Sequence, residues 1–355
     1  MIGPIGDFQS RLLAWYNRAR RDLPWRVTSS QNSISLPDPY HVLLSETMLQ
    51  QTQVATVIPY FRRFIQSFPR IQDLAGADLQ NVLRLWQGLG YYSRARNLHR
   101  CAQTISTEHG GTVPSDVDML LTLPGVGRYT AGAIASLAFD RSAPILDGNV
   151  TRVLCRLDQI ETDPRTKDVQ ALLWRRAADI LPEKCVGDFN SALMELGATV
   201  CTPRNPQCLI CPVRDHCQAQ AAGVQERIPV PKKVKPTPLL HRVVLCVKDA
   251  ADRYLIEQRP ADGRWAGMWQ FKTLDLAGTR PTVGKVAKLA GLQITRPRPI
   301  GAITHALTHR RYQFDVFSCR IVSPVAAGGT WANLGELDRY PLPKPHVDVA
   351  RMLGK

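Results

Sequence analysis

The chain has 355 residues, of which 44% are hydrophobic and 21% charged. This composition is ordinary for a soluble globular protein, and the length exceeds one typical domain, so two domains are expected. The formal net charge of +15 predicts a polyanionic partner. Because the sequence has no transmembrane run and no amphipathic anchor, it favours nucleic acid over a membrane.

The first residues lack the basic and apolar regions of a signal peptide, so an intracellular location is expected, cytoplasmic or in the nucleoid if the source is bacterial. In such a reducing compartment the nine cysteines are expected to be metal ligands or buried thiols rather than disulfides.

The N-terminal third is predicted to be helical. One buried helix face is indicated by the spacing of Phe8, Leu12, Leu13, Trp15 and Tyr16. A short segment, Leu23–Arg26, follows it. Residues 27–36 are rich in Ser, Asn and Gln, which predicts a surface loop.

Residues 40–54 have helical spacing and carry one carboxyl, Glu46. It is the only Asp, Glu, Lys or Arg between Asp38 and Arg62, and its neighbours three and four residues away offer no ion pair. A carboxyl in an apolar stretch has a raised pKa or finds a distant partner, and a raised pKa suits a general acid at neutral pH. The alternative is a glutamate that faces solvent.

The four residues 50–53 of this helix are neutral and polar. Their side chains offer both donors and acceptors, which suits contacts with base edges. A plain solvated helix face explains them equally well.

Residues 86–100 combine a glycine-flexed loop, two adjacent tyrosines and a basic helix start. An aromatic side chain here can replace a base lost from the stack while arginines hold the backbone. Packing in the core is the competing explanation for one of Tyr91 and Tyr92.

The segment Leu123–Thr130 reads Leu-Pro-Gly-Val-Gly-Arg-Tyr-Thr and precedes an alanine-rich helix. Gly125 and Gly127 allow a tight turn whose N–H groups point outward, and the helix that follows aims its positive end at the same place. That arrangement binds an anion, such as a DNA phosphate. An ordinary helix end with a glycine turn is the alternative, but the whole string resembles the helix-hairpin-helix of DNA-repair glycosylases.

Asp147 is the only formal charge between Arg141 and Arg152 and stands just before a predicted helix. It is expected to cap that helix, which would hold its carboxylate rigid and ionised. The hairpin, the spacer and this lone aspartate match the endonuclease III superfamily, and that resemblance implies a catalytic role for Asp147.

Four cysteines lie close together, with six, two and five residues between them: Cys201, Cys208, Cys211 and Cys217. Four thiolates suit either a [4Fe–4S] cluster or zinc. Zinc sites commonly use two Cys-x-x-Cys pairs, whereas only Cys208 and Cys211 have that spacing here. The pattern is similar to the iron–sulfur loop of endonuclease III relatives, so the cluster is favoured, with His216 as a bystander.

After a proline- and lysine-rich stretch, 227–239, the periodicity changes to that of strands. The strand-like segments are 243–247, 254–259 and 311–317, and with residues 263–271 they look like the α/β fold of Nudix pyrophosphohydrolases. Those enzymes hold Mg²⁺ with glutamates on one helix. Residues 281–289 offer lysines instead, so the domain is expected to recognise its ligand without hydrolysing it.

Nearly the full length of the chain resembles the adenine DNA glycosylases of the MutY family. The resemblance lies in residues 45–52, the 88–96 loop, the hairpin through Asn149, and the cysteine loop followed by a Nudix-like domain. It implies a mainly α helix-hairpin-helix glycosylase domain over 1–226 with an iron–sulfur loop at 201–217. A basic linker over 227–239 and an α/β Nudix-like recognition domain over 240–355 would follow.

The resemblance implies a monomeric enzyme that removes adenine mispaired with 8-oxoguanine or guanine in double-stranded DNA. Breaking the N-glycosidic bond needs a proton on the leaving base and negative charge near the developing oxocarbenium ion. Glu46 would supply the proton and Asp147 the charge, once the adenine has left the duplex. Asn149 would orient Asp147 or the attacking water.

Further roles follow from the same resemblance. Gln51 and Tyr91 would wedge into the base stack beside the oxidised guanine while Thr52 contacts it, and Arg26 would lie at the substrate. In glycosylases that cleave the strand a lysine follows Gly-Val-Gly-Arg and forms a Schiff base. Tyr129 stands at that position here, so we predict a monofunctional glycosylase with Tyr129 hydrogen-bonded near the acid or base.

Two departures from the family pattern affect substrate contacts. Ser191 stands where relatives carry Glu or Gln against adenine. The Phe-Ser-His loop that reads oxidised guanine appears as Leu307, Thr308 and His309, which keeps the hydroxyl but loses an aromatic ring. The alternatives to this function are a bifunctional lyase acting on oxidised pyrimidines, a non-enzymatic iron–sulfur DNA-binding protein, and a catalytic Nudix hydrolase.

Overall fold

The computed structural model of the chain describes residues 5–26, 36–232, 236–276, 282–307, 310–323 and 329–354. They form two compact units. The first contains the described residues of Met1–Gly76 and Asn97–Lys233, and the second those of Ala77–Arg96 and Val234–Lys355. The chain therefore passes from one unit to the other three times, the last time within the linker predicted at 227–239.

The first unit is built from helices. In chain order the helices up to residue 221 are α1 (Ile5–Ala19), α2 (Pro39–Leu49), α3 (Val54–Ser67), α4 (Ile71–Ala75), α5 (Leu79–Trp86), α6 (Ser93–Glu108), α7 (Val117–Thr122), α8 (Arg128–Phe139), α9 (Gly148–Leu157), α10 (Lys167–Asp179), α11 (Val186–Thr199) and α12 (Gln218–Ala221). Of these, α5 belongs to the second unit. Among the described residues, no helix combines the length and apolarity that crossing a bilayer requires.

The core of the first unit lies between α1, α8, α9, α10 and α11. Helix α1 buries Phe8, Leu12 and Tyr16 there, as their spacing predicted. Helices α9 and α11 approach so closely that a Cβ on Gly197 would lie 2.6 Å from Cβ of Asn149. A side chain at position 197 would therefore push α9, and the residues at its start, out of place.

Helix α2 begins where Asp38 accepts a 2.7 Å hydrogen bond from the N–H of Tyr40, with Pro39 in the first turn. It ends at Leu49. The predicted helix over 40–54 is therefore too long: residues 50–53 form the turn between α2 and α3. The backbone leaves the helical region at Gln50, whose ψ is 110°, and the left-handed φ of 57° at Gln51 then turns the chain away from the helix.

The second unit contains a six-stranded mixed sheet in the order β4-β5-β1-β3-β2-β6. Its elements are β1 (Leu239–Lys248), β2 (Tyr254–Gln258), β3 (Trp269–Asp275), α13 (Val283–Leu289), β4 (Arg298–Leu307), β5 (Arg310–Arg320), β6 (Thr330–Ala332) and α14 (Lys344–Leu353). Strands β1 and β5 run parallel and the other pairs antiparallel. One face of the sheet packs on α13, and Pro345, His346 and Val349 of α14 are buried too. This is the predicted Nudix-like fold.

The second unit also holds Ala77–Arg96, which sequence reasoning placed in the N-terminal domain. Gln80 accepts from the indole N–H of Trp269 at 3.2 Å and donates to the carbonyl of Gly267 at 3.2 Å. Arg96 donates to the carbonyl of Ala266 at 3.0 Å. These long-range hydrogen bonds leave no periodic signal in the sequence, so the attachment was not foreseen.

Candidate active site

A cavity of about 1050 Å³ opens in the first unit. It is lined by residues from α1, α2, α8, α9 and α11 and from the 50–53 turn. The predicted site residues on its wall are Arg26, Glu46, Gln51, Thr52, Tyr129, Asp147, Asn149 and Ser191. Residues that lie up to 165 positions apart in the sequence therefore line the same cavity.

Glu46 lies on α2 and is 5% exposed. Its Oε2 accepts a 2.6 Å hydrogen bond from the hydroxyl of Tyr129. Burial raises the pKa of Glu46 to about 7; the Tyr129 hydrogen bond and the positive charge of Arg26 oppose this rise, while the charge of Asp147 adds to it. The predicted raised pKa is confirmed, and the solvent-facing alternative for Glu46 is wrong.

Asp147 caps α9, as predicted. Its Oδ1 accepts from the backbone N–H of Val150 at 2.7 Å, and its Oδ2 accepts from the side-chain amide of Asn149 at 3.0 Å. Burial nevertheless raises the pKa of Asp147 above its ordinary value, because the loss of solvent outweighs these hydrogen bonds. The expectation that capping keeps Asp147 ionised did not include this effect of burial.

The two carboxyl groups differ in how strongly they hold a proton. Burial raises both pKa values, but the carboxyl of Glu46 accepts from one phenol, whereas two N–H groups stabilise the ionised form of Asp147. Around neutral pH this arrangement supplies one carboxylic acid and one carboxylate to a single cavity. That pairing is what acid-assisted cleavage of a glycosidic bond requires.

The helical hairpin and the acid share one helix start. Leu123 and Val126 are buried, and the turn between α7 and α8 is allowed by Gly125, whose φ is 80°. A Cβ at Gly125 would lie 2.6 Å from Cβ of Asn97. Tyr129 is the second residue of α8, so the helix end that offers free N–H groups to an anion also places the phenol on Glu46.

Glu195 is a site residue that the sequence analysis missed. It is fully buried on α11 and accepts from two arginines: Arg21 at 2.6 and 3.0 Å and Arg26 at 3.0 Å. Burial alone would raise the pKa of Glu195, but the two arginines together lower it below its ordinary value. The guanidinium of Arg26 also lies 5.6 Å from the ring centre of Tyr16. Arg26 is thus held from two sides at the cavity wall.

Ser191 lies on α11 and is nearly buried. Burial raises the pKa of the neighbouring Tyr16, and Arg26 and Ser191 oppose this rise. The short side chain therefore belongs to a wall that Tyr16, Arg26 and Glu195 complete. Its predicted contact with the adenine stays a prediction.

The predicted DNA-reading residues have unusual backbones or lie at loop ends. Gln51 and Tyr91 both have positive φ values, of 57° and 48°, and both are exposed. Such strain in residues other than glycine is typical of functional sites. Tyr92, by contrast, is buried, so the core explanation holds for that tyrosine. Leu307 ends β4, whereas Thr308, His309 and loop residues 27–35 lie outside the described residues.

The four clustered cysteines line one small cavity together with Arg156. Among the described residues, no three His, Cys, Asp or Glu side chains lie close enough together to hold a single metal ion. The buried Arg156 donates to the sulfur of Cys201 at 3.2 Å and to the carbonyls of Thr202 and Ile228 at 2.7 and 2.8 Å. A cation against four thiols suits a cluster whose ligands are thiolates. Arg156 was not singled out from the sequence.

A second arginine connects the cysteine loop to the cavity. Arg152 on α9 donates to the carbonyl of Cys201 at 2.7 Å and to Oδ1 of Asn149 at 2.8 Å. Asn149 in turn donates to Asp147. The side chains of Arg152 and Asn149 thus connect the cysteine loop to the carboxylate of Asp147.

Three family models match the chain. Residues 44–179 match the HhH-GPD superfamily of base excision DNA repair proteins, residues 201–217 the iron–sulfur binding domain of endonuclease III, and residues 243–352 the NUDIX domain. The fold, the hairpin and the cavity therefore define a base excision DNA glycosylase. Its 201–217 loop carries a [4Fe–4S] cluster, for which the four cysteines are the predicted ligands.

Several curated proteins are similar over most of the chain. Adenine DNA glycosylase of Mus musculus is 36% identical over 99% of this chain and 78% of its own length, and that of Homo sapiens is 35% identical over 94% and 72%. A thermostable thymine-DNA glycosylase covers 61% of this chain and 97% of its own, with 29% identity and a TM-score of 0.53. An endonuclease III–DNA complex, at 23% identity with a TM-score of 0.50 over 62% of this chain and 97% of its own, shares the fold. The chain belongs to the adenine DNA glycosylase family.

Proposed function

We propose that this protein hydrolyses the N-glycosidic bond of adenine that lies opposite 8-oxoguanine or guanine in double-stranded DNA. The observation that carries the proposal is the pairing of Glu46, whose pKa is raised to about 7, with Asp147 in one cavity. The adenine must leave the duplex to reach them, which costs a few kcal/mol of stacking and pairing.

The reaction needs one proton and one water. Glu46 in its acid form gives its proton to the leaving adenine, and the bond between the sugar carbon and the base breaks with its electrons on the base. Asp147, as a carboxylate, stabilises the positive charge that develops on the sugar. Water then adds to the sugar carbon and releases a proton, which returns Glu46 to its acid form. The products are free adenine and an abasic site.

Tyr129 sets the subtype. Strand cleavage by a lyase needs an amine that forms a Schiff base with the sugar. At position 129 there is a phenol whose hydroxyl is committed to Glu46 and, at 3.3 Å, to the sulfur of Met194. This supports a monofunctional glycosylase.

Recognition of the duplex is divided among several elements. The N–H groups of Gly125, Gly127 and the start of α8 suit a DNA phosphate. Gln51 and Tyr91 suit insertion into the stack because each is exposed on a strained loop. Thr52 would then contact the opposite base, and the segment 307–309 would read its oxidised edge.

The decisive experiment compares single-turnover release of adenine from duplexes with A opposite 8-oxoguanine, G or T. We expect fast release from the first, slower release from the second and none from the third. The Glu46→Gln variant should bind the first duplex and release adenine about 10²–10⁴-fold more slowly, the typical contribution of a general acid. Equal release from the A:T duplex, or a fully active variant, would overturn the proposal.

Borohydride trapping on the same duplexes separates the subtypes. A monofunctional enzyme leaves little or no covalent adduct, whereas a lyase acting on oxidised pyrimidines would be trapped strongly on its own damaged duplex. We also propose that the protein acts as a monomer within the cell, on chromosomal DNA. Sedimentation velocity with and without a duplex tests the monomer: a 2:1 complex at saturating duplex would contradict it.

A further inference from the structure

The second unit carries a group of arginines around one tyrosine. The guanidinium carbons of Arg242 and Arg264 lie 4.8 and 5.2 Å from the ring centre of Tyr312. Arg259 donates to the carbonyl of Arg264 at 2.9 Å. Arg310 begins β5, two residues before Tyr312, and its charge acts on both Arg242 and Arg264. We call these four arginines the arginine cluster.

The arginine cluster has too few carboxylates to balance its charge. Arg242 pairs with Asp275 at 2.6 Å, but the Asp275 side chain is 75% exposed, so solvent weakens this pair. Arg259 donates to a neutral partner, the amide oxygen of Gln270 at 2.7 Å. Within the described residues, Arg264 and Arg310 have no carboxylate partner. The four charges raise one another's energy and would be stabilised by an anion.

Polar groups beneath the arginine cluster are also incompletely satisfied. The Tyr312 hydroxyl is buried and has no hydrogen-bond partner among the described residues, and the same is true of both ring nitrogens of His346. Burial, aided by the charges of Arg259 and Arg242, lowers the pKa of His346 to about 3. The histidine is therefore neutral and adds no charge. Buried polar groups without partners in a native structure call for an explanation, and a ligand site is one.

The loop that carries Arg264 is held in a strained shape. Trp265 has a φ of 54° and lies between Gly263 and Gly267, which have φ values of 74° and 70°. Its ring is buried 6.0 Å from Tyr312 and 6.1 Å from His305, centre to centre. Strain of this kind persists only where the surroundings enforce it and is common at ligand sites. The position of Arg264 is thus fixed before any ligand arrives.

We propose that the arginine cluster binds a phosphate group of the DNA backbone. A guanidinium matches phosphate oxygens with two parallel hydrogen bonds, which neither lysines nor a diffuse positive surface provide. The arginine cluster also lies at the end of the β4–β5 hairpin that adjoins segment 307–309. The proposal rests on the proposed function only in that the ligand is duplex DNA; it needs no base chemistry.

The test measures binding of the full-length protein to an A:8-oxoguanine duplex over a series of salt concentrations. Each phosphate contact contributes about −0.9 to the slope of log K against log salt. We expect Arg264→Gln to weaken binding by about threefold to tenfold and to reduce the slope by about 1, equally on A:G and A:T duplexes. Arg310 is exposed, so its replacement leaves the packing intact. Arg310→Gln should weaken binding and reduce the slope as Arg264→Gln does.

Arg298→Gln is the matched control. Arg298 is exposed at the start of β4, at the opposite end of the same hairpin, and its loss should leave the slope unchanged. A wild-type slope in both Arg264→Gln and Arg310→Gln overturns the proposal. A second measurement is the rise in melting temperature that free dGMP causes. If dGMP stabilises the wild type but not Arg264→Gln, while the duplex slope is the same in both, the site binds a free nucleotide and the proposal is overturned. A wild-type protein that binds the duplex but releases no adenine would overturn the proposed function alone.

Discussion

The hydroxyl of Tyr129 donates a 2.6 Å hydrogen bond to Oε2 of Glu46, across 83 residues of sequence. The bond favours the ionised form of a carboxyl whose pKa burial has raised. Tyr129 therefore moderates the acid, keeping the pKa of Glu46 near neutrality instead of higher. Since Tyr129 is also in the first turn of α8, the proposed contact of the hairpin with DNA and the strength of the acid would depend on the same helix end.

Tyr129→Phe should move the alkaline limb of the pH–rate profile to higher pH. Removing the donor takes away the interaction that lowers the pKa of Glu46, so the acid form persists further. Adenine release at pH 7 should fall by about threefold to tenfold, the worth of one hydrogen bond that orients the acid. Single-turnover rates between pH 5 and 9 test this. A profile with an unshifted or acid-shifted limb would contradict the role given to Tyr129.

Glu46→Gln should stabilise the folded protein in alkaline solution. The folded pKa of about 7 lies above the ordinary value of 4.5, so the wild type loses stability as pH rises from about 4.5 to 7. The loss is at most roughly 3 kcal/mol above pH 7. The neutral glutamine avoids it. In urea unfolding, the variant should have the larger free energy of unfolding at pH 8, and the difference should vanish near pH 4. A variant less stable than the wild type at pH 8 would contradict the raised pKa of Glu46.

Glu195→Gln should destabilise the fold and slow adenine release, because Arg26 is no longer held at the cavity wall. The carboxylate now holds two arginines at the cavity wall, and the neutral amide would leave both charges without a counter-ion. Breaking a buried ion pair from one side typically costs about 3–5 kcal/mol. We expect a lower melting temperature and an adenine-release rate lowered at least tenfold. Asp188→Asn, at another cavity-lining carboxylate of α11, is the control and should retain most of the rate.

Arg152→Gln should affect the cluster and the chemistry together. The variant loses the hydrogen bonds that join the Cys201 carbonyl to Asn149. We expect faster bleaching of the visible absorbance in air and slower adenine release, since Asn149 no longer holds Asp147. If the absorbance of the variant decays as in the wild type and its adenine release is unchanged, the hydrogen bonds from Cys201 through Arg152 to Asn149 do not contribute to function.

Glu46 and Asp147 could be predicted from the sequence because each is the only charged residue of its segment. An isolated charge of this kind can be recognised without a structure. Glu195 and Arg156 were missed because their partners, Arg21, Arg26 and the cysteine loop, are far away in sequence. The helix predicted over residues 40–54 was too long because the non-helical backbone of Gln50 and Gln51 leaves no signal in side-chain periodicity. Strands β3, β4 and β6 were not predicted; β4 and β6 have no repeating apolar pattern and join the sheet through pairing with β5 and β2.

The pH dependence of single-turnover adenine release from an A:8-oxoguanine duplex tests the central claim most directly. With Glu46 acting as the acid and its pKa at about 7, the rate should fall about tenfold for each pH unit above neutrality. The residual rate of Glu46→Gln should not show this limb. A wild-type rate that stays flat from pH 6 to 9, or a limb that persists in Glu46→Gln, would contradict it.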